Sequence, residues 1–265
     1  MFLNFGGRKM KSNKTFRLQL LYSALLVTAA YVLLKNSAHP AKMDLIVEGG
    51  LFLFAGAIGF RGFLNRNKRK SKDFRRFELF YGLTYSVVTI ACIMGLVFFL
   101  NHPAIRDIDM EVVQDSALLQ GMSGVKSLSF VFMFLAWYYF YRNLKIQASN
   151  KKKLMAFLGG FAGYFGASLI ILAFTGDQSI ISLGIIVGAA IGLFAMIALH
   201  PATRYLSILF LAFSIVHLWE FYLMGMGKEL VTGINNPVYW LIILLYAFEV
   251  NRWITSGQYK LAPQK

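Results

Sequence analysis

Long apolar stretches recur along almost the whole of this chain, and they restrict its fold more than any other feature. Eight of them are predicted as helices, over 18–34, 44–64, 79–100, 125–141, 154–175, 179–199, 203–225 and 238–256. Each is close to the length that an α-helix needs to cross the ~30 Å hydrocarbon core of a bilayer. Inside lipid, a helix satisfies its backbone polar groups within its own segment. The sequence therefore predicts an all-α, polytopic transmembrane helix bundle with about eight spans.

The composition agrees with this fold class. Hydrophobic residues make up 57% of the 265 residues, against roughly 45–50% in soluble domains. We expect a single transmembrane domain over 18–256, with a basic cytoplasmic tail at 1–17 and a second cytoplasmic tail at 257–265. The first apolar run is longer than the core of a typical signal peptide, and no small-residue cleavage site follows it, so we interpret it as an uncleaved span.

The distribution of charge predicts the orientation. Of the 27 lysines and arginines, 22 fall in 1–17, 61–78, 142–153, 200–204 and 251–265. These segments lie on one side if the chain crosses the membrane eight times, and basic residues collect on the cytoplasmic side. The sequence thus predicts that both termini are inside. On this assignment Asp44 and Lys126 lie outside, and Glu78 lies in an inner loop.

The net charge of +15 raises the question of which partner the protein meets. The basic segment 61–76 adjoins two predicted spans and has few aromatic residues for base stacking, which argues against nucleic acid. Basic clusters beside a span are typical of contacts with anionic lipid headgroups. We expect the bilayer and its anionic headgroups as partners, and a multi-pass location in the cell membrane (the inner or plasma membrane).

Ionisable residues within the apolar stretches are the best functional lead. The stretch SIVHLWEFYLMG carries His217 and Glu220 on one helix face, with Ser214 one turn away. At 1.5 Å per residue, His217 lies ~12 Å and Glu220 ~7 Å from the outer end of its helix. Glu48 lies at a similar outer depth, and the four residues are the predicted ligand or proton site. Ionisable groups inside spans usually face a bundle interior or water, although a structural hydrogen bond between helices explains them equally well.

Three functions remain open on the sequence alone. The first is a small, proton-linked transporter or a channel-like protein, because a histidine beside carboxylates suits proton exchange near neutral pH. The second is an intramembrane enzyme that acts on a lipid or lipid-linked substrate. The third is an accessory or assembly subunit of a membrane complex. No motif for a cofactor or a metal occurs, and we expect neither; whether the protein is an enzyme stays undecided.

Two further patterns concern packing. Glycines at small-xxx-small spacing (Gly159 and Gly163, then Gly184, Gly188 and Gly192) predict close packing of the fifth and sixth helices. The linker Gly-Asp-Gln makes these helices antiparallel neighbours, and their small residues also suit a helix of another protein. Glu249 and Arg252, three residues apart, predict an ion pair along the last helix. Cys92, the single cysteine, is interpreted as packing.

Overall fold

A computed structural model describes residues 6–65, 71–103, 116–144, 146–176, 179–225 and 237–256. Within these ranges the fold consists of helices and contains no strand. The described residues form eight α-helices: α1 Gly6–Lys35, α2 Pro40–Leu64, α3 Lys72–Asn101, α4 Ala117–Asn143, α5 Asn150–Thr175, α6 Ser179–Ala198, α7 Arg204–Gly225 and α8 Pro237–Ser256. The all-α prediction is therefore confirmed.

Six of the described helices are long and apolar enough to cross a membrane. They are α1, from Arg17 onward, α2, α3, α4, α5 and α6, from Ile180 onward. The described part of α7, together with the turn before it, forms a shorter apolar helix over Pro201–Val216. The protein thus has the helices of a multi-pass membrane protein, while the count of eight spans and the orientation remain predictions.

Several helices begin earlier than the apolar pattern predicts. Helix α1 is already helical from Gly6, ahead of the predicted helix at 18–34, while its candidate span begins at Arg17; the cytoplasmic tail at 1–17 stays a prediction. Helix α3 begins at Lys72, where Ser71 accepts a hydrogen bond from the Phe74 N–H at 3.0 Å. Helix α4 begins at Ala117 behind the capping residue Ser116. The apolar pattern misses these first turns because polar and capping residues occupy them.

Helices α2, α3 and α4 form one layer of antiparallel helices, in which glycines allow neighbouring helices to approach closely. A Cβ atom at Gly59 of α2 would lie 2.5 Å from the Gly82 nitrogen and 2.8 Å from the Glu78 carbonyl oxygen of α3. A Cβ atom at Gly95 of α3 would lie 2.7 Å from Leu45 of α2 and 3.2 Å from the Met122 sulfur of α4. These contacts hold the three helices together by van der Waals packing, the main attraction between helices in lipid.

Helices α5 and α6 pack tightly as an antiparallel pair, as predicted. On α6, Cβ atoms at Gly184, Gly188 and Gly192 would lie 2.9, 3.2 and 2.7 Å from atoms of Ser168, Phe161 and Phe157 on α5. The contact on α5 was predicted wrongly, however. Gly160 faces α6, whereas Gly159 and Gly163 have no atom of a neighbouring element within 4 Å of an added Cβ. The small-xxx-small pair of α5 therefore faces away from α6.

Helix α8 lies at the centre and joins the two helix groups. It packs against α1, α2 and α7, and twelve of its residues are buried, including Trp240, Tyr246 and Trp253. Aromatic rings continue this core: Trp137 of α4 lies 4.5 Å from Phe194 of α6 and 5.7 Å from Tyr246, between ring centroids. The core of the molecule is thus an aromatic layer around α8.

Candidate functional site

The predicted site residues of α7 are only partly described. Ser214 is buried, and its hydroxyl donates a 2.8 Å hydrogen bond to the Phe210 carbonyl oxygen, one turn back on the same helix. His217 and Glu220 lie on the helical backbone of α7, but their side chains lie outside the described residues. The convergence of Ser214, His217 and Glu220 on one site therefore stays a prediction.

Glu48, the fourth predicted site residue, lies on another part of the bundle. It belongs to α2, which packs on α3, α8 and α1, whereas α7 packs on α6, α8 and α5. Helix α8 is thus the neighbour that α2 and α7 share. Within the described residues, Glu48 lies beside Cys92 of α3, and its meeting with Ser214 stays a prediction.

Asp44 and Glu48 together form a pair of buried carboxylates. They stand four residues apart on one face of α2, and their residues are only 5% and 6% exposed. From the start of α2 at Pro40, the helical rise places them about 6 and 12 Å into the helix. Asp44 is packed against other helices, because α2 begins one turn earlier than the apolar run; its location on the outer side of the membrane stays a prediction.

Residues of α3 and α4 complete this site. A Cβ atom on Gly49 would lie 3.3 Å from the Cys92 Cβ of α3, so α2 and α3 nearly touch beside Glu48. The Cys92 thiol lies within electrostatic range of Asp44, Glu48 and Lys126. Lys126 was predicted in an outer segment, but it stands nine residues into α4 and is half-buried. Asp44 and Glu48 of α2, Cys92 of α3 and Lys126 of α4 thus lie in one region of the bundle, which we call the Asp44–Glu48–Lys126 site.

A second polar region lies at the opposite end of the same helices. The Glu249 carboxylate of α8 accepts hydrogen bonds from Arg252 Nη2 at 2.5 Å and from Trp253 Nε1 at 3.1 Å. This confirms the predicted ion pair. Next to it, Arg61 of α2 donates a 2.7 Å hydrogen bond to Asn251 of α8. The polar residues of α8 therefore face other helices and each other.

Glu78 is the residue that the sequence reasoning most clearly missed. It was predicted in an inner loop, but it lies in α3 and is 0% exposed. Its Oε1 atom would lie 2.6 Å from a Cβ added to Gly62 of α2, and Ile254 of α8 adjoins the same point. A usable signal was present, because Glu78, Tyr81 and Tyr85 recur at helical spacing along one face.

Three tyrosines occupy the core between the two polar regions. The ring of Tyr81 lies 4.8 Å from that of Tyr85 and 6.3 Å from that of Tyr246 on α8, between centroids. All three are at least nine-tenths buried. Tyr85 stacks on Phe52, which stands one turn beyond Glu48 on α2, at 5.8 Å.

The carboxyl groups of Asp44 and Glu48 are the groups of this site that can bind and release a proton. No group of three or more His, Cys, Asp or Glu side chains within the described ranges is placed to hold a metal ion. Comparison with family models, curated proteins and solved structures finds no match. The function is therefore inferred from this chain's own residues.

Proposed function

We propose that the protein is a small proton-linked membrane transporter, in which Asp44 and Glu48 bind and release the transported proton. The burial of these two carboxylates in a membrane-spanning helix, next to Lys126, carries the proposal. An ionisable side chain within the hydrocarbon region destabilises a bundle, and such residues mark ion pathways and proton relays in membrane proteins. A purely structural role would be served by neutral side chains with less desolvation.

The position of the site supports transport over lipid chemistry. An enzyme acting on a lipid needs its reacting groups accessible from the lipid-facing surface. Asp44 and Glu48 are instead enclosed by α2, α3 and α4. A proton has only a short distance to travel from the end of the bundle, because both carboxylates lie within about 12 Å of the start of α2.

The experiment is a proton-flux measurement with the full chain in sealed liposomes. A pH-sensitive dye inside reports the decay of an imposed pH gradient, with valinomycin and K⁺ holding the membrane potential at zero. The assay is run without solute and then with inorganic cations, amino acids or sugars outside. We expect faster decay than in empty liposomes under at least one condition, and at least about a tenfold loss of flux in Asp44→Asn and Glu48→Gln.

Asp73→Asn is the matched control, because Asp73 is an acidic residue of α3 that is partly exposed and pairs with Arg76 and Arg142. This variant is expected to retain full flux. A parent protein that equals empty liposomes under every condition would reject the proposed function. Full flux in both carboxylate variants would reject the site.

A second candidate function, an accessory subunit, is favoured by the surface of α5. Only Tyr164 and Ser168 of this helix are buried, and Gly159, Ala162 and Gly163 face outward. Small residues let a second helix approach closely. A photo-crosslinking residue at Ala162 would then capture one stoichiometric membrane protein, while the same residue at the exposed Leu25 of α1 would not. Equal, diffuse labelling at both positions would contradict this alternative.

A further inference from the structure

One face of α3 carries polar side chains along most of the bundle. It runs through Glu78, Tyr81, Tyr85, Thr89 and Cys92, which recur every three or four residues. All five are less than a tenth exposed. The helical rise over these 14 residues is about 21 Å, or two-thirds of a ~30 Å hydrocarbon core. This face begins at Glu78 and ends at Cys92, which lies next to Glu48 of α2.

The tyrosine hydroxyls of this region are buried and incompletely paired. Among the described residues, neither the Tyr81 nor the Tyr246 hydroxyl has a partner with hydrogen-bond geometry. Both nevertheless lie close enough to the Tyr85 hydroxyl to interact with it. Small rotations of the side chains would therefore make or break hydrogen bonds among the three, which is the property that a proton relay requires.

Packing alone does not explain these hydroxyls. A phenylalanine at Tyr81 or Tyr246 would fill nearly the same volume and would avoid burying a hydroxyl whose hydrogen bonds are incomplete. The neighbouring positions show that this core accepts phenylalanine, because Phe77 lies 5.8 Å from Tyr81 and Phe210 lies 6.3 Å from Tyr246, between ring centroids. The hydroxyls thus need a reason beyond the filling of space.

We propose that the hydroxyls of Tyr81, Tyr85 and Tyr246 relay protons between the Asp44–Glu48–Lys126 site and Glu78. This inference rests on the proposed function and adds a route and a second proton site to it. In each step a hydroxyl oxygen accepts a proton on a lone pair and passes its own O–H proton onward. A carboxylic acid at one end becomes a carboxylate, and a carboxylate at the other end becomes an acid. No redox step is involved.

Thr89 and Cys92 are the polar side chains that stand between Tyr85 and the carboxylates on this face. The Thr89 hydroxyl donates a 2.8 Å hydrogen bond to the main-chain carbonyl oxygen of Tyr85, so it joins a relay only when its side chain rotates out of that bond. Cys92 is three residues further on and adjoins the carboxylate pair. The hydroxyl and thiol groups thus follow one helix face, and α2 closes this face on one side where Phe52 stacks on Tyr85.

The test removes one hydroxyl at a time and keeps each ring. Proton flux through the full chain in liposomes is measured for Tyr81→Phe, Tyr85→Phe and Tyr246→Phe, and for Glu78→Gln at the end of the route. We expect Tyr85→Phe and Glu78→Gln to lower the flux by about tenfold or more. Tyr164→Phe is the matched control, because Tyr164 of α5 also buries a hydroxyl that has no hydrogen-bond partner among the described residues but lies outside this face.

The outcomes separate the relay from the proposed function. Flux that is lost in Asp44→Asn but unchanged in all three tyrosine variants would overturn the relay and leave the proposed function standing. A parent protein without proton flux would overturn both. Equal losses in Tyr85→Phe and Tyr164→Phe would show a general effect on packing and also overturn the relay. If Tyr85→Phe cannot be purified as a monodisperse protein, Tyr246→Phe answers the same question from α8.

Discussion

Gly59 shows at the scale of one residue how the sequence holds α2 against α3. Its α-carbon faces backbone atoms, so an added methyl group would meet the Gly82 nitrogen at 2.5 Å and the Glu78 carbonyl oxygen at 2.8 Å. Backbone atoms of two packed helices cannot move aside as a flexible side chain can. The two helices would have to separate, and Glu78 would move with α3.

We therefore predict that Gly59→Ala destabilises the protein by about 1–3 kcal/mol, the usual effect of overpacking. The measurement is the free energy of unfolding in mixed micelles, from a denaturing-detergent titration followed by circular dichroism. Gly50→Ala is the control on the same helix, because nothing lies within 4 Å of a Cβ atom there. Equal stability of the two variants would contradict the close approach of α2 and α3.

His200 provides a prediction about pH at the same scale. It lies between α6 and α7, where its Nδ1 atom accepts a 3.3 Å hydrogen bond from the Ala202 N–H. Burial lowers the pKa of the ring below its usual value, so the folded protein holds the proton less tightly than the unfolded chain. This contribution to stability is complete above the pKa of an unfolded histidine, about 6.5, and is lost as the pH falls below it.

Between about pH 8 and pH 5, the parent protein should thus lose more thermal stability than His200→Asn. Asparagine can still accept the Ala202 N–H but does not titrate. Melting curves of both proteins in the same detergent check this. Parallel pH profiles would show that the His200 ring does not contribute.

The Asp44–Glu48–Lys126 site shows that the sequence does not reveal which side chains meet in the folded protein. Glu48 was predicted as a site residue because it lies inside an apolar run. Asp44 and Lys126 were assigned to the outside, since each stands at the edge of such a run or just inside it. Which residues meet depends on how α2, α3 and α4 are rotated about their axes. That rotation follows from the packing of Gly49, Gly59 and Gly95, which no single apolar run encodes.

At the scale of the element, the pair α5–α6 separates what could be predicted from what could not. The short linker and the glycines of α6 were sufficient to predict an antiparallel, closely packed pair. The predicted contact face of α5 was wrong, because Gly159, Gly160 and Gly163 lie within five residues and are equally small. Only the fit of Phe157 and Phe161 against the glycines of α6 selects Gly160.

The ends of α3 and α4 form a second element-scale feature, a basic platform made of Arg75, Arg76 and Arg142. Each guanidinium lies over an aromatic ring, at 5.4, 5.2 and 5.9 Å from the centroids of Phe63, Tyr139 and Tyr138. Asp73 pairs with Arg76 and Arg142. Stacking and ion pairing hold these cations in place while about half of the Arg76 and Arg142 side chains stays exposed.

We propose that this platform binds anionic lipid headgroups, with about 1 kcal/mol from each basic residue. Replacing Arg76 and Arg142 by glutamine should then abolish most of the extra thermal stability that nanodiscs with phosphatidylglycerol give over nanodiscs with phosphatidylcholine. Lys35→Gln is the control, because Lys35 is an exposed cation at the other end of the bundle. An unchanged difference between the two lipids in the double variant would contradict this partner.

At the scale of the whole molecule, the apolar pattern was sufficient to predict the order of the helices and the residues at which they end, but not the residues at which several of them begin. Its weakest point is α8, which is not among the six helices that are apolar enough to span. Glu249, Asn251 and Arg252 lower its hydropathy, yet much of α8 faces protein rather than lipid. A helix at the centre of a bundle can carry polar residues that a lipid-facing helix cannot. Hydropathy alone therefore underestimates how well a helix at the centre of a bundle is suited to cross a membrane.

The number of membrane spans depends on whether α7 and α8 cross the membrane. The side on which the segment between them lies distinguishes the two cases. With eight spans, Lys228 lies outside; with six, it lies on the same side as both termini. The location of the termini does not distinguish six spans from eight, because any even number of spans leaves both termini on the same side. Helix α8 has 20 residues, or about 30 Å of helix, which matches the hydrocarbon thickness, so we predict that Lys228 is outside.

The measurement is labelling of intact cells with a membrane-impermeant maleimide. In a Cys92→Ala background, Lys228→Cys should react as readily as Asn36→Cys, which lies between α1 and α2. Lys151→Cys, in the first turn of α5, should react only after the membrane is permeabilised. The same behaviour of Lys228→Cys and Lys151→Cys would reduce the count to six spans. It would also place His217 and Glu220 away from the predicted outer face, because α7 could then no longer lead outward.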